Sequence, residues 1–327
     1  MVDVIVVDTH IEFDHPEFDT RAHKFNWLKY SKKLGYDTKD EYEYENIKPF
    51  TGKRGSHGTS MASIIGGNTL GIAPNVNIFN IHYNYSWAIK WKHLLYDYII
   101  EFVNERKNPT VCNLSFATRT SKMRINSFIS FKYRDKFPDI SFLPPEQKKI
   151  GLETIIPSEH FYGDNCLRYL PMRDKKIDSG IKKLIDNGII VVGSTRNSQL
   201  TVDVPGGIDY DNRICRSQFG DIYLNRGSSP GCSPGIICVS SLHCGGNGPR
   251  IDYFEDGNYT LSAVNYRSTS SAIKDFRSDK HEVAYVEGTS VATAKVTGRL
   301  ALELEKNPNL TQEEARTILN KNKNGSI

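Results

Sequence analysis

The chain opens on an apolar, β-branched run from Val2 to Val7 that stops at Asp8. Such a run predicts a short strand buried on both faces. Residues 19 to 54 are polar and rich in Lys, Tyr and Glu, and read as a surface connection. Met61, Ala62 and Ile65 stand at helical spacing and predict a helix over Gly58 to Ile65; Asn75 to His82 reads as a second strand. Trp87, Trp91, Leu94, Leu95, Tyr98 and Phe102 recur every three to four residues, the pattern of an amphipathic helix. Thr110 to Phe116 is strand-like. Ile177, Ile181, Leu184 and Ile185 mark a helix stopped by Gly188, with the strand Ile189 to Val192 directly behind it. Ile236 to Ser240 is a further strand. Ala292, Val296, Leu300 and Leu304 form one stripe of a long helix. Thr311 and Glu314 have the spacing of a capping box that opens a last helix through Leu319.

Short apolar strands alternating with helices predict an α/β fold of three layers, a mostly parallel central sheet with helices on both faces. Residues 118 to 176 interrupt this rhythm with basic, aromatic and proline residues and no period. The stretch is too long for an ordinary loop and reads as an inserted excursion within a single domain spanning residues 1–327.

Composition narrows the classes. Lys and Arg number 42 against 38 Asp and Glu, a net charge of +4. The surplus is scattered, so solvated faces account for it and no nucleic-acid partner is expected. No apolar run approaches the roughly 18 residues of a membrane span, so no membrane partner is expected either. The N-terminus shows no charged and apolar leader, and no signal peptide is read. Six cysteines in 327 residues do not make a disulfide scaffold, which fits a reduced intracellular or virion-like setting. Cys112 and Cys238 fall in apolar runs as small buried hydrophobes. Cys232, Cys238 and Cys244 are evenly spaced, but no Cys-x-x-Cys pair accompanies them to make a zinc site.

The chemistry sits in three motifs. Asp8 ends the first strand in Val6-Val-Asp-Thr-His-Ile11. His57 lies in Gly55-Ser-His-Gly-Thr-Ser-Met-Ala-Ser63. Ser290 lies in Glu287-Gly-Thr-Ser-Val-Ala292, running into a helix. A serine hydroxyl needs an adjacent base to become a nucleophile, and a carboxylate to hold that base in one tautomer. In the order Asp, His, Ser, these motifs resemble the subtilisin family of serine proteases. The resemblance covers nearly the whole chain outside 118–176. It implies a serine endopeptidase acting through an acyl-enzyme, with Asp8, His57 and Ser290 as triad. Asn197, just after the apolar strand 189–192, matches the family's oxyanion donor. Asn113, Leu114, Ser115, Phe116 and Ala117 resemble its substrate-pairing strand, which binds an extended polypeptide by β-addition.

The family pattern is broken at several positions. His10 replaces a glycine near Asp8, Arg196 a glycine before Asn197, and Ala294 a proline after the serine motif. Lys295 follows it. Glu287 occupies a usually small position, and Ala117-Thr118 replaces a glycine-rich continuation. Arg196 and Glu287 are open to two readings, a pair across the cleft or a bias on substrate side chains. The resemblance requires no cofactor and leaves structural calcium open. With no room for a propeptide before Val2, the chain is read as folding unaided or as part of a longer polypeptide or assembly. Narrow processing is one form of the expected activity. A catalytically weak or silent binding module on the same fold is the competing reading.

Overall fold

The computed structural model describes residues 1–36, 56–82, 94–121, 169–197, 200–211, 213–217, 220–265 and 271–323. Strand β1 (Asp3–Asp8) lies at the heart of a seven-stranded sheet with β2 (Ala22–Lys24), β3 (Asn77–His82), β4 (Thr110–Leu114), β7 (Ile190–Ser194), β10 (Ile237–Ser241) and β11 (Tyr253–Glu255). The order is β11-β10-β7-β4-β1-β3-β2, and every pairing is parallel. Alternate residues of a strand face opposite ways, and both faces of β1 are covered. Val4 and Val6 enter one core, Ile5 and Val7 the other.

Helices supply the outer layers. On the Val4 face lie α2 (His57–Gly66), α5 (Thr289–Lys306) and α6 (Gln312–Lys323), through residues such as Met61, Ile65, Val296, Leu300 and Leu319. The opposite face carries α1 (Trp27–Lys33), α3 (Leu94–Arg106) and α4 (Lys175–Asp186), which bury Trp27, Phe102 and Ile181. Gly188 stops α4 at φ +76°, a conformation that favours glycine. The box at α6 forms as its spacing predicts: Thr311 N–H donates to Glu314 at 2.9 Å, and Glu314 N–H to Thr311 Oγ1 at 3.3 Å.

The three-layer α/β expectation holds, with two corrections to its detail. The supposed surface connection from residue 19 contains β2 and α1, because Phe25, Trp27, Leu28 and Tyr30 are buried among the polar residues. The sequence pattern also missed two antiparallel sheets, the pair β8 (Arg213–Ser217) and β9 (Gly220–Tyr223), and the three strands β12 (Thr260–Val264), β13 (Ile273–Lys274) and β14 (Glu282–Val286). Residues 37–55, with the rest of the polar stretch, and Trp87 and Trp91 lie outside the described residues. So does most of the 118–176 excursion; its ends, β5 (Arg119–Ser121) and β6 (Tyr169–Pro171), pair as an antiparallel ladder.

One buried ion cluster joins the loop after β1 to the β13–β14 hairpin. Arg277 pairs with Glu17 and with Asp275, the latter at 2.6 Å, and both carboxylates are almost fully buried. Thr69 and Leu70 backbone N–H groups complete Glu17 at 3.0 and 3.1 Å. Burial alone would raise the Glu17 carboxyl, but the Thr69 hydrogen bonds and Arg277 hold it below its usual value. Arg277 holds Asp275 down as well. Depressed carboxyls stabilise the fold above their unfolded pKa, and that stability is lost as pH falls through the folded value. Arg277→Ala is expected to cost about 3–5 kcal/mol at neutral pH by stranding two buried carboxylates. A lowered urea midpoint reads the loss, and the deficit shrinks as acid neutralises the carboxyls.

Candidate active site

In an open parallel sheet, sites form at the carboxyl ends of the strands. Asp8 ends β1, Ser115 follows β4, and Asn197 follows β7, three strands adjacent in the sheet. Asp8 is 5% exposed, and its Oδ1 accepts the Thr9 backbone N–H at 2.7 Å. His57 Nδ1 lies 2.7 and 2.9 Å from the two Asp8 oxygens. The ring still leaves 40% of its side-chain surface open.

Local structure explains why the pair meets. Asn80 Nδ2 donates to Val6 O and Thr9 O at 3.2 and 3.1 Å, clamping the strand end that carries Asp8. Thr9 Oγ1 accepts Gly58 N–H at 2.7 Å, which draws the first turn of α2 to that end. A Cβ at Gly58 would lie 2.1 Å from Thr9 O, so only glycine permits the approach. The missed strand β12 fixes α2 from behind. Ser60 Oγ donates to Ala263 O, and Ala263 N–H to Ser63 Oγ, each at 3.0 Å.

Electrostatics follow from this packing. Burial would lower the His57 imidazole, but the Asp8 charge and hydrogen bond outweigh it and hold its pKa above the ordinary value. His10 behaves in the opposite way. Its ring packs edge-on against Phe13 at 5.2 Å and His82 at 6.1 Å. Burial, with the nearby His82 and Lys24 adding to it, lowers it to about 4. It is therefore neutral at neutral pH and does not compete with His57 for the Asp8 charge.

Ser290 lies in the first turn of α5, after Gly288 at φ +132°. Its Oγ donates to Ser115 O at 3.2 Å, and its backbone N–H bonds to no described residue. An unpaired N–H in a first helical turn is a donor aimed at negative charge. Asn197 is exposed beside it, with Oδ1 accepting Thr289 N–H at 2.9 Å. The Thr289 hydroxyl lies 2.7 Å from the same oxygen and 2.8 Å from Thr195 O, sharing one proton between them. With Oδ1 so engaged, Nδ2 is left to donate. Thr289 is thus the residue that orients Asn197, a role that sequence reading missed although the Gly-Thr-Ser motif contains it.

The structure therefore joins Asp8 to His57, and Asn197 to the Ser290 turn. Among the described residues no hydrogen bond links Ser290 Oγ to His57. Such bonds are commonly long or misaligned before substrate arrives.

The five residues of the expected substrate strand fall in two places. Asn113 and Leu114 are fully buried, because β4 is bonded by β1 on one side and β7 on the other. They lie inside the sheet; Asn113 Oδ1 accepts the Thr297 hydroxyl at 3.0 Å. Ser115, Phe116 and Ala117 leave the sheet beside Ser290. Ala117 pairs with Pro230, and Thr118 N–H donates to Ser229 O at 2.7 Å. Beyond them a recess is lined by Thr195, Arg196, Leu200, Leu224, Ser228 and Cys232, among others. Glu287 is exposed and pairs with no described residue, so the ion pair with Arg196 is not formed. Lys295 instead pairs with Asp256 at 3.4 Å, and Ala294 is buried in an unbroken α5.

Among the described residues, Glu12, Asp14 and His281 bring three potential metal donors within 4.8 Å of one another. An imidazole among them does not suit calcium, which takes oxygen ligands. This cluster therefore gives the calcium expectation no support.

The sequence matches the subtilase family over residues 2–326, and the chain belongs to that family. No curated protein matches the sequence. Among solved structures, it is similar to a cold adapted subtilisin-like serine proteinase, with 18% identity over 98% of this chain and 81% of that one, at a TM-score of 0.54. It is also similar to the prenylagaramide maturation protease PagA, with 15% identity, 98% and 81% coverage, and a TM-score of 0.50. At these identities the likeness concerns the fold. Membership in a peptidase family makes polypeptide the substrate class. No described helix is long and apolar enough to cross a membrane.

Proposed function

We propose that the chain is an endopeptidase whose triad is Asp8, His57 and Ser290, with Asn197 Nδ2 and Ser290 N–H forming the oxyanion hole. The observation that carries this reading is the buried Asp8 bonded to His57 Nδ1 at 2.7 Å, which leaves Nε2 as the basic nitrogen. His57 takes the Ser290 proton as Oγ attacks the peptide carbonyl, then delivers it to the leaving amine. Water, deprotonated by the same imidazole, releases the acyl group. Asp8 stays ionised and supports the imidazolium. No metal takes part in these steps.

Ser115 to Ala117 would hold the substrate backbone, and the recess beside Arg196 a substrate side chain. A recess walled by Arg196 rather than glycine favours restricted cleavage, as in narrow processing. Asn197→Ala is expected to lower kcat about 10²–10³-fold with little change in KM, because the oxyanion exists only on the way through the reaction. Steady-state kinetics on a peptide selected from a library measure this. An unchanged kcat removes Asn197 from the mechanism.

A second reading, a peptide-binding module with little turnover, draws on the Ser290 hydroxyl donating to Ser115 O rather than to His57. The library experiment separates the two. New peptide termini support the peptidase; retained but uncut peptides support the module.

A further inference from the structure

Cys232 and Cys238 are spaced like a motif, yet nothing in peptide hydrolysis uses them. Both are buried, and their sulfurs stand 3.8 Å apart as free thiols. Cys238 sits on β10, where its N–H donates to Asp252 Oδ2 at 2.7 Å. Cys232 lines the recess next to Thr195 and Arg196. The turn opposite it is glycine by necessity: a Cβ at Gly227 would meet Cys232 Sγ at 2.4 Å.

Two guanidinium groups frame the pair. Arg173 donates to Cys232 O at 2.6 Å, and Arg250 to Ser233 O at 2.8 Å and Ile236 O at 3.1 Å. We propose that Cys232 and Cys238 form an oxidisable dithiol on the recess wall, which a small hydroperoxide converts to a disulfide. Access comes through the recess, and reactivity from the local charge. The hydrogen bond with Cys238, joined by the charges of Arg250 and Arg173, lowers the Cys232 thiol against the cost of burial. The same hydrogen bond, with burial behind it, pushes the Cys238 thiol up.

The step balances. Cys232 thiolate attacks one peroxide oxygen, the O–O bond breaks, and hydroxide leaves to give the sulfenic acid. Cys238 sulfur then attacks Cys232 sulfur, the S–O bond breaks, and hydroxide departs with the Cys238 proton as water. Two thiols lose two electrons, and one hydrogen peroxide becomes two waters once the first hydroxide is protonated. A disulfide needs sulfurs about 2.0 Å apart, so the pair closes by about 1.8 Å from its 3.8 Å separation.

The test uses the Ser290→Ala chain, which cannot digest itself and keeps the outcome independent of peptidase activity. Folded protein is treated with hydrogen peroxide, alkylated and mapped by peptide mass spectrometry. The expected result is a Cys232–Cys238 cross-linked peptide two hydrogens lighter, loss of alkylation at both positions, and full return with dithiothreitol. Cys238→Ser should stop at a dimedone-reactive sulfenic acid on Cys232. Cys232→Ser should leave Cys238 unoxidised; Cys232→Ala repeats the arm should the serine variant fail to fold by circular dichroism. Unchanged alkylation after peroxide overturns the proposal. So does oxidation of Cys232 to sulfinic acid, or its linkage to Cys244, without the Cys238 link.

Discussion

Ser290→Ala is expected to lower peptide turnover about 10⁶-fold, the scale of removing a nucleophile whose partners act only through it. The variant should fold as the parent does, because Ser290 is half-buried and its hydroxyl holds only the Ser115 carbonyl at 3.2 Å. Affinity for peptide should survive, since Ser115 to Ala117 and the recess are untouched. The drop should therefore fall on kcat, with KM nearly constant. His57→Ala should cost about as much, and the double variant little more, because imidazole and hydroxyl work as one unit. Single-turnover assays with circular dichroism as the folding control measure this. Additive losses would mean that the two side chains act separately.

Asp8→Asn is the second large effect, about 10⁴-fold in kcat. The amide is close to the carboxylate in shape but cannot stabilise an imidazolium, and it can hold His57 in the wrong tautomer. The pH profile carries an independent signature. The reaction needs neutral His57, so activity falls as pH drops through the pKa of that imidazole. Asp8 holds it above the ordinary 6.5, which places the acid midpoint of kcat/KM above that value in the parent. Without the carboxylate its raising effect is lost, so the midpoint should move to lower pH in Asp8→Asn. An unmoved midpoint would detach Asp8 from the titrating base.

The two effects show how the fold and the site depend on each other. Asp8 is set by the last residue of a strand buried on both faces, and His57 by the first residue of a helix drawn in by Thr9 and Gly58. Ser290 opens a helix whose next turns pack under the same sheet. None of these positions is on a long loop. The rigidity that keeps an imidazole against a carboxylate comes from the apolar residues that bury β1, α2 and α5.

That dependence also explains how much was legible in the sequence. Val2 to Val7, the stripe through Val296 and Leu300, and the Thr311–Glu314 box are local patterns, and each folds as its spacing dictates. Asp8, His57, Ser290 and Asn197 stood out because their motifs are local too. What stayed hidden depends on distant neighbours. Trp27 and Tyr30 looked like members of a polar stretch until Phe102 and Phe25 covered them. Strands β12 and β14 are short and partly exposed, and their order comes from pairing with each other and with α2. Asn113 and Leu114 carried a substrate-strand pattern, yet bonding on both edges of β4 encloses them. Cys238 did read as a buried strand residue. Its contact with Cys232 needed the turn at 231–236 to be seen.

A base held by a buried carboxylate should make one hydroxyl in the molecule abnormally nucleophilic. A fluorophosphonate probe, followed by peptide mass spectrometry, measures that directly. The account predicts one adduct, on Ser290, formed quickly in the parent and orders of magnitude more slowly in His57→Ala and Asp8→Asn. An unlabelled Ser290 in protein that still binds peptide, or equal labelling in all three chains, would contradict it.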